Sequence, residues 1–155
     1  MNLLSLDPGP TSSGYARVRL VGPRVTYVSS GRVSSDLNQL ERLFDPELDA
    51  VAVETPKGYV FSPARGAQLL ATARIAGALA WMAQARHLRL VELSAGEWRK
   101  ALCGRATADD HRVADAVAAN VIDCPAKSNV HVRDALGLAL VAAWQLAGSL
   151  GRRAG

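Results

Sequence analysis

Four residues far apart in the chain have the types that handle a divalent cation: Asp7, Glu54, His131 and Asp134. Asp7 ends a short apolar run, NLLSLD at 2–7, and Glu54 ends another, DAVAVE at 49–54. Carboxylates that end neighbouring strands repel each other, and a hard cation such as Mg²⁺ or Mn²⁺ relieves that repulsion. His131 and Asp134 stand at i and i+3, on one face of a helix. Drawn to one edge, the four could hold two ions about 4 Å apart, the arrangement for in-line displacement at a phosphodiester. Each residue also has a plainer reading. Asp7 could open an Asx-turn before Pro8. Glu54 could be a surface charge at a strand end. His131 and Asp134 could be first-turn helix residues, Asp134 favoured there by the helix dipole. The joint pattern is what points to a site. Asp109, Asp110 and His111 form a denser cluster, but a helix start accounts for them, and they rank second as metal contacts.

The elements that must position these groups follow from periodicity. After Asp7 comes a glycine- and proline-rich turn, then two β-like runs, Tyr15–Val21 and Val25–Val33, joined by Gly22 and Pro23. Alternation around a tight joint predicts a hairpin, so the opening is a three-stranded antiparallel meander. Ser35 or Asp36 caps a short helix with Leu37, Leu40, Leu43 and Phe44 on one face. The strand at 49–54 follows, then a loop over Thr55–Pro63. The stretch 64–85 is rich in Ala and Leu and free of proline, which predicts one long helix. Leu88–Leu93 is a strand. Ser94 caps a helix with Glu97 at the capping-box position. Thr107 caps another that runs to about Val121, with Asp109 and Asp110 in its first turn. Residues 124–129 are a linker, and a last helix runs from about Val130 to Ala147. The right-handed crossover rule sets the strand ending at Glu54 parallel to the first. The expected product is an α/β domain: a five-stranded mixed sheet, strand 1 central, helices on both faces. Ligand sites in open sheets gather at the carboxyl ends of the strands, where Asp7 and Glu54 lie.

Composition narrows the partners. The chain has 155 residues, of which 18 are Lys or Arg and 14 Asp or Glu, a net charge of +4. The three Lys are outnumbered by 15 Arg, and guanidinium is the better phosphate fork. A basic, Arg-heavy domain suits a polyanion; a compositional bias of the genome would give the same count. No apolar run approaches the ~20 residues of a membrane span, and the start is not a signal peptide. Cys103 and Cys124 lie far apart without CxxC spacing, which fits a reducing compartment and places the protein in the cytoplasm. The expected organisation is a single domain over 1–150 with a short tail at 151–155.

Asp7-Pro8-Gly9 followed by Gly14-Tyr15 resembles the opening of RuvC-like Holliday-junction resolvases, members of the ribonuclease H-like superfamily. Val51-Ala52-Val53-Glu54 matches the strand that carries the family's second carboxylate. Leu69–Gly77, Trp98–Gly104 and His131–Leu136 are similar to three later family motifs, in the same order. The resemblance implies sheet order 3-2-1-4-5. It also implies a homodimer that binds four-way junction DNA and nicks two strands symmetrically with two Mg²⁺ or Mn²⁺ ions per site. Carried over, Asp7, Glu54, His131 and Asp134 are the metal and catalytic positions. Many relatives have Asp where this chain has His131. Imidazole is a softer ligand that favours Mn²⁺, and it changes charge near neutral pH, which suits a general base or acid.

Other departures concern DNA contact. Asp110 follows Ala108-Asp109 where the family often has a basic residue, so Arg105 and Arg112 stand as substitutes for a phosphate-contacting Lys, with Lys100 nearby. In relatives an aromatic residue after the second carboxylate wedges into the junction; here Tyr59 or Phe61 could stack on a base, or cover the helix start. Lys57 and Arg65 flank that loop as candidate phosphate contacts. The helix at 64–85 is apolar on more than one face. Ala71, Gly77 and Ala78 permit close helix approach, and Trp81 or Met82 could anchor a dimer; packing on its own sheet is the alternative. An RNA-processing nuclease of the same fold and a non-catalytic junction-binding protein are the other functional readings.

Overall fold

The computed structural model describes residues 1–57, 63–126 and 129–151. Its first strand, β1 (Asn2–Asp7), pairs antiparallel with β2 (Ser12–Val21), which pairs with β3 (Arg24–Ser34). Gly22, at φ +58°, supplies the left-handed residue that closes the β2–β3 turn. Helix α1 (Leu37–Glu41) is capped by Asp36, whose side chain accepts from the N–H groups of Asn38 and Gln39. Strand β4 (Ala50–Glu54) returns parallel to β1. Helix α2 (Pro63–Ala85) crosses to β5 (Arg89–Leu93), parallel to β4. Helix α3 (Ala95–Cys103) and helix α4 (Asp110–Asn120) follow, and α5 (Val130–Gly151) is last.

The sheet runs β5-β4-β1-β2-β3, with β1 in the middle, as expected. One strand is added. Val121 and Ile122 form β6, which pairs parallel with Val25 and Thr26 at the outer edge of β3. Two residues carry no readable alternation, and their pairing covers an otherwise open edge. Several bounds also move, and α5 runs to Gly151 rather than Ala147. Strand β2 begins at Ser12, inside the turn after Asp7, and β3 runs one residue further at each end, to Arg24 and Ser34. The cap of α4 is Asp109, not Thr107: its carboxylate accepts from the N–H of Arg112 at 2.9 Å. Asp is as good a cap as Thr and sits next to the helix, so Thr107 is left in the preceding turn.

Alternation in β1 and β4 divides the core. Leu4, Leu6, Val51 and Val53 face α1 and α2, and pack with Leu40, Leu79, Met82 and Ala83. Leu3, Ala50 and Ala52 face the other way, against Trp98 and the apolar side of α5. Both strands are buried on both faces, which is why their sequences read as unbroken apolar runs. Ser5 and Asp7 share the face of Leu3. The buried hydroxyl of Ser5 donates to the carbonyl of Ala135 at 2.6 Å, tying β1 to α5. Met82 is therefore core, not a dimer anchor, whereas Trp81 and Leu70 point outward from α2 and are exposed. Among the described residues no helix is long and apolar enough to cross a membrane.

Candidate active site

Parallel register sets Leu6 beside Val53, so Asp7 and Glu54 are the next residues at the same end of adjacent strands. Both project to the face covered by α5 and α3. Asp134 and His131 come from the first turns of α5, and Oδ2 of Asp7 lies 2.8 Å from Nδ1 of His131. Gly14 makes that approach possible. A Cβ on Gly14 would stand 2.4 Å from the His131 carbonyl oxygen and 2.8 Å from its Cβ. The glycine in the opening motif is thus a seat for the backbone of α5. Gly14→Ala should lift the start of α5 from β2, at a cost of about 1–3 kcal/mol for overpacking. The check is the urea midpoint of unfolding; an unchanged midpoint would mean α5 can shift freely.

Helix α3 supplies two residues whose roles the sequence did not reveal. The Trp98 indole N–H donates to Oε2 of Glu54 at 2.7 Å. The Arg99 guanidinium donates to Oδ2 of Asp134 at 2.9 Å and to the carbonyl of Ala108 at 2.8 Å. Consecutive helical residues thus reach two of the carboxylates. Their one trace in the sequence is the likeness of Trp98–Gly104 to a family motif, which assigns no role to Trp98 or Arg99. Asp110 completes a charged chain, with Arg99 at 3.7 Å and Arg133 at 3.1 Å. Asp109 caps α4, Asp110 pairs with the two arginines, and His111 is exposed on α4, so the helix start accounts for all three.

Burial decides the electrostatics. Desolvation pushes the Glu54 carboxyl up to about 7, and the negative charge of Asp7 adds to the shift, against the indole hydrogen bond. Desolvation also raises Asp7, against the pull of His131, and raises Asp134, against the pull of Arg99. Oδ1 of Asp134 is buried without a hydrogen-bond partner among the described residues. A carboxylate oxygen in that position is costly unless something positive reaches it. No three His, Cys, Asp or Glu side chains among the described residues form a ready-made metal cage. Each carboxylate instead meets a neighbouring group: Asp7 meets His131, Glu54 meets Trp98 and Asp134 meets Arg99. The donor set nevertheless fits a hard divalent ion, with three mutually repelling carboxyls, one imidazole and one orphaned oxygen.

The expected basic DNA contacts lie at the surface. Lys57, Arg65, Lys100, Arg105 and Arg112 are exposed. Lys57 donates to Glu97 at 2.8 Å, and its ammonium, with Ser94, pulls the Glu97 carboxyl down to about 2. Tyr59 and Phe61 lie outside the described residues.

A mixed sheet of this order with helices on both faces is a ribonuclease H-like fold, and the candidate carboxyls stand at the ends of its central parallel strands. The chain belongs to the RuvC family: the model for "Crossover junction endodeoxyribonuclease RuvC" matches residues 3–142. The RuvC of Pelodictyon phaeoclathratiforme is 30% identical over 153 residues, covering 90% of this chain and 78% of that protein. That of Parvibaculum lavamentivorans is 30% identical over 154 residues, covering 90% and 85%. In structure the chain is similar to Thermus thermophilus RuvC in complex with a Holliday junction substrate. The TM-score is 0.74 and the identity 21%, over 96% of both chains.

Proposed function

We propose that this protein is a divalent-metal-dependent endonuclease that resolves four-way DNA junctions by paired nicks, acting as a homodimer in the cytoplasm. The gathering of Asp7, Glu54 and Asp134 from three separate elements onto one buried edge carries the reading, together with family membership. Asp7, Glu54, Asp134 and His131 would hold Mg²⁺ or Mn²⁺, two ions per site. Bound there, such ions supply positive charge for activating water and for the leaving oxygen.

The chain's own groups supply the rest. With Asp7 ionised, Nδ1 of His131 donates to it, which leaves Nε2 as the nitrogen for an ion or a proton. Arg99 favours the charged form of Asp134 against the cost of burial and holds its Oδ2 in place. Lys57, Arg65, Lys100, Arg105 and Arg112 hold the phosphate backbone on either side. The Lys57–Glu97 pair is exposed, so it is weak and yields readily to a phosphate. Tyr59 or Phe61 stacks on a base near the crossover. The outward face of α2, with Leu70 and Trp81 exposed, is the surface offered to the second copy. Two sites related by a two-fold axis account for paired cuts. Residues 1–150 form the nuclease domain; Gly151, expected in the tail, still belongs to α5, and 152–155 lie outside the described residues.

The test compares a labelled mobile four-way junction with its linear duplex arms, in Mg²⁺, Mn²⁺ and EDTA. Symmetric, metal-dependent nicks near the crossover are expected. Cutting of RNA alone would replace the substrate with an RNA-processing one. Binding without cutting in any metal would leave a non-catalytic junction-binding protein. A second prediction concerns the imidazole. His131→Asp should stay active and shift its preference from Mn²⁺ toward Mg²⁺, because a carboxylate is the harder ligand. Complete loss of cutting in both metals would assign proton transfer to His131.

A further inference from the structure

Trp98 is fully buried and makes an unusual use of its one polar atom. A buried indole must place its N–H, and here the acceptor is a carboxylate of the candidate site, at 2.7 Å. The far edge of the ring is equally constrained. A Cβ on Gly137 of α5 would lie 2.7 Å from Cζ3 of Trp98, closer than such atoms pack, so only glycine leaves room for this ring. Arg99 covers its face, the guanidinium carbon 5.1 Å from the ring centroid. The indole is thereby wedged between the backbone of α5 and the end of β4. Packing alone would be met by a purely apolar ring.

We propose that Trp98 is a positioning residue: its N–H, braced by Gly137 behind the ring, fixes Oε2 of Glu54 and so sets how that carboxylate meets a divalent cation. The proposal rests on Glu54 being a metal ligand. Donors behind ligating carboxylates orient them, and their loss typically weakens metal binding about 10–100-fold.

Trp98→Phe keeps an aromatic ring and removes the donor. Replacing the Trp98 indole by its benzothiophene isostere keeps the whole outline and also removes the N–H, which guards against a packing artefact or a failure of the phenylalanine variant to fold. Mn²⁺ titration of the DNA-free protein by calorimetry should show affinity weakened about tenfold or more in both variants. Junction binding in EDTA should be unchanged. Cleavage should need more Mn²⁺ but approach the normal rate at saturation, a split that general misfolding does not give. In a Glu54→Gln background, removing the N–H should add nothing to the loss of Mn²⁺ affinity. If the isostere binds Mn²⁺ like the natural protein while Glu54→Gln binds weakly, the role of Trp98 is overturned and that of Glu54 stands. If Glu54→Gln leaves Mn²⁺ affinity unchanged, the assignment of Glu54 fails, and the role of Trp98 with it.

Discussion

Asp7→Asn abolishes junction cleavage, with a loss greater than about 100-fold, while junction binding is kept or strengthened. The magnitude follows from position. Changes to groups behind a metal ligand already cost up to about 100-fold, and Asp7 is read as a ligand itself. It ends the central strand, is nearly buried, and meets His131 directly. Asparagine has the same outline and can still hydrogen-bond to the imidazole, so the fold is preserved and the charge is gone. Removing one negative charge from a surface that meets phosphates favours binding, most visibly at low salt. Gel shifts in EDTA and cleavage assays in Mn²⁺ separate the two effects. Near-normal turnover would remove Asp7 from the site.

Glu54→Gln should also stop cleavage, yet make the metal-free protein more stable at alkaline pH. The sign follows from the direction of the shift. Glu54 is raised from the ordinary 4.5 to about 7, so the folded state holds its proton more tightly than the unfolded state does. That contribution to stability is fully present below about pH 4.5 and is lost as pH rises through about 7. Above that, the ionised carboxylate costs on the order of 3 kcal/mol, and glutamine avoids the cost. The substitution should raise the melting temperature by several degrees at pH 8 and change it little near pH 4. A divalent ion should narrow the gap by stabilising the natural protein more at pH 8 than at pH 5. Equal melting temperatures at pH 8 without metal would mean that Glu54 is not strained there.

The main line of the fold was readable because burial on both faces leaves a plain signature. NLLSLD and DAVAVE could only be central strands, and the crossover rule then set Asp7 beside Glu54. What stayed hidden depends on contacts between residues distant in sequence. No spacing rule joins Trp98 to Glu54 or Arg99 to Asp134; each pairing exists only once α3 has docked over the sheet edge. Strand β6 was hidden because two residues have no period. Met82 and Trp81 were equivalent as candidates in a helix apolar on several faces, and only packing sent one inward and the other out. The cap of α4 was ambiguous because Thr107 and Asp109 both have capping side chains, and local chemistry does not rank them.

The tie between β1 and α5 has a consequence for synthesis of the protein. Asp7 is translated early, but its partner His131 lies 124 residues later, and the Ser5 hydroxyl waits for a carbonyl 130 residues away. A nascent chain that has released only its sheet strands holds Asp7 and Glu54 but still lacks His131 and Asp134. Until α5 is made and seats on Gly14, that edge of the sheet is a row of strand ends. The four candidate groups therefore come together only when α5 docks on β1, a long-range contact that follows the local pairings of the sheet.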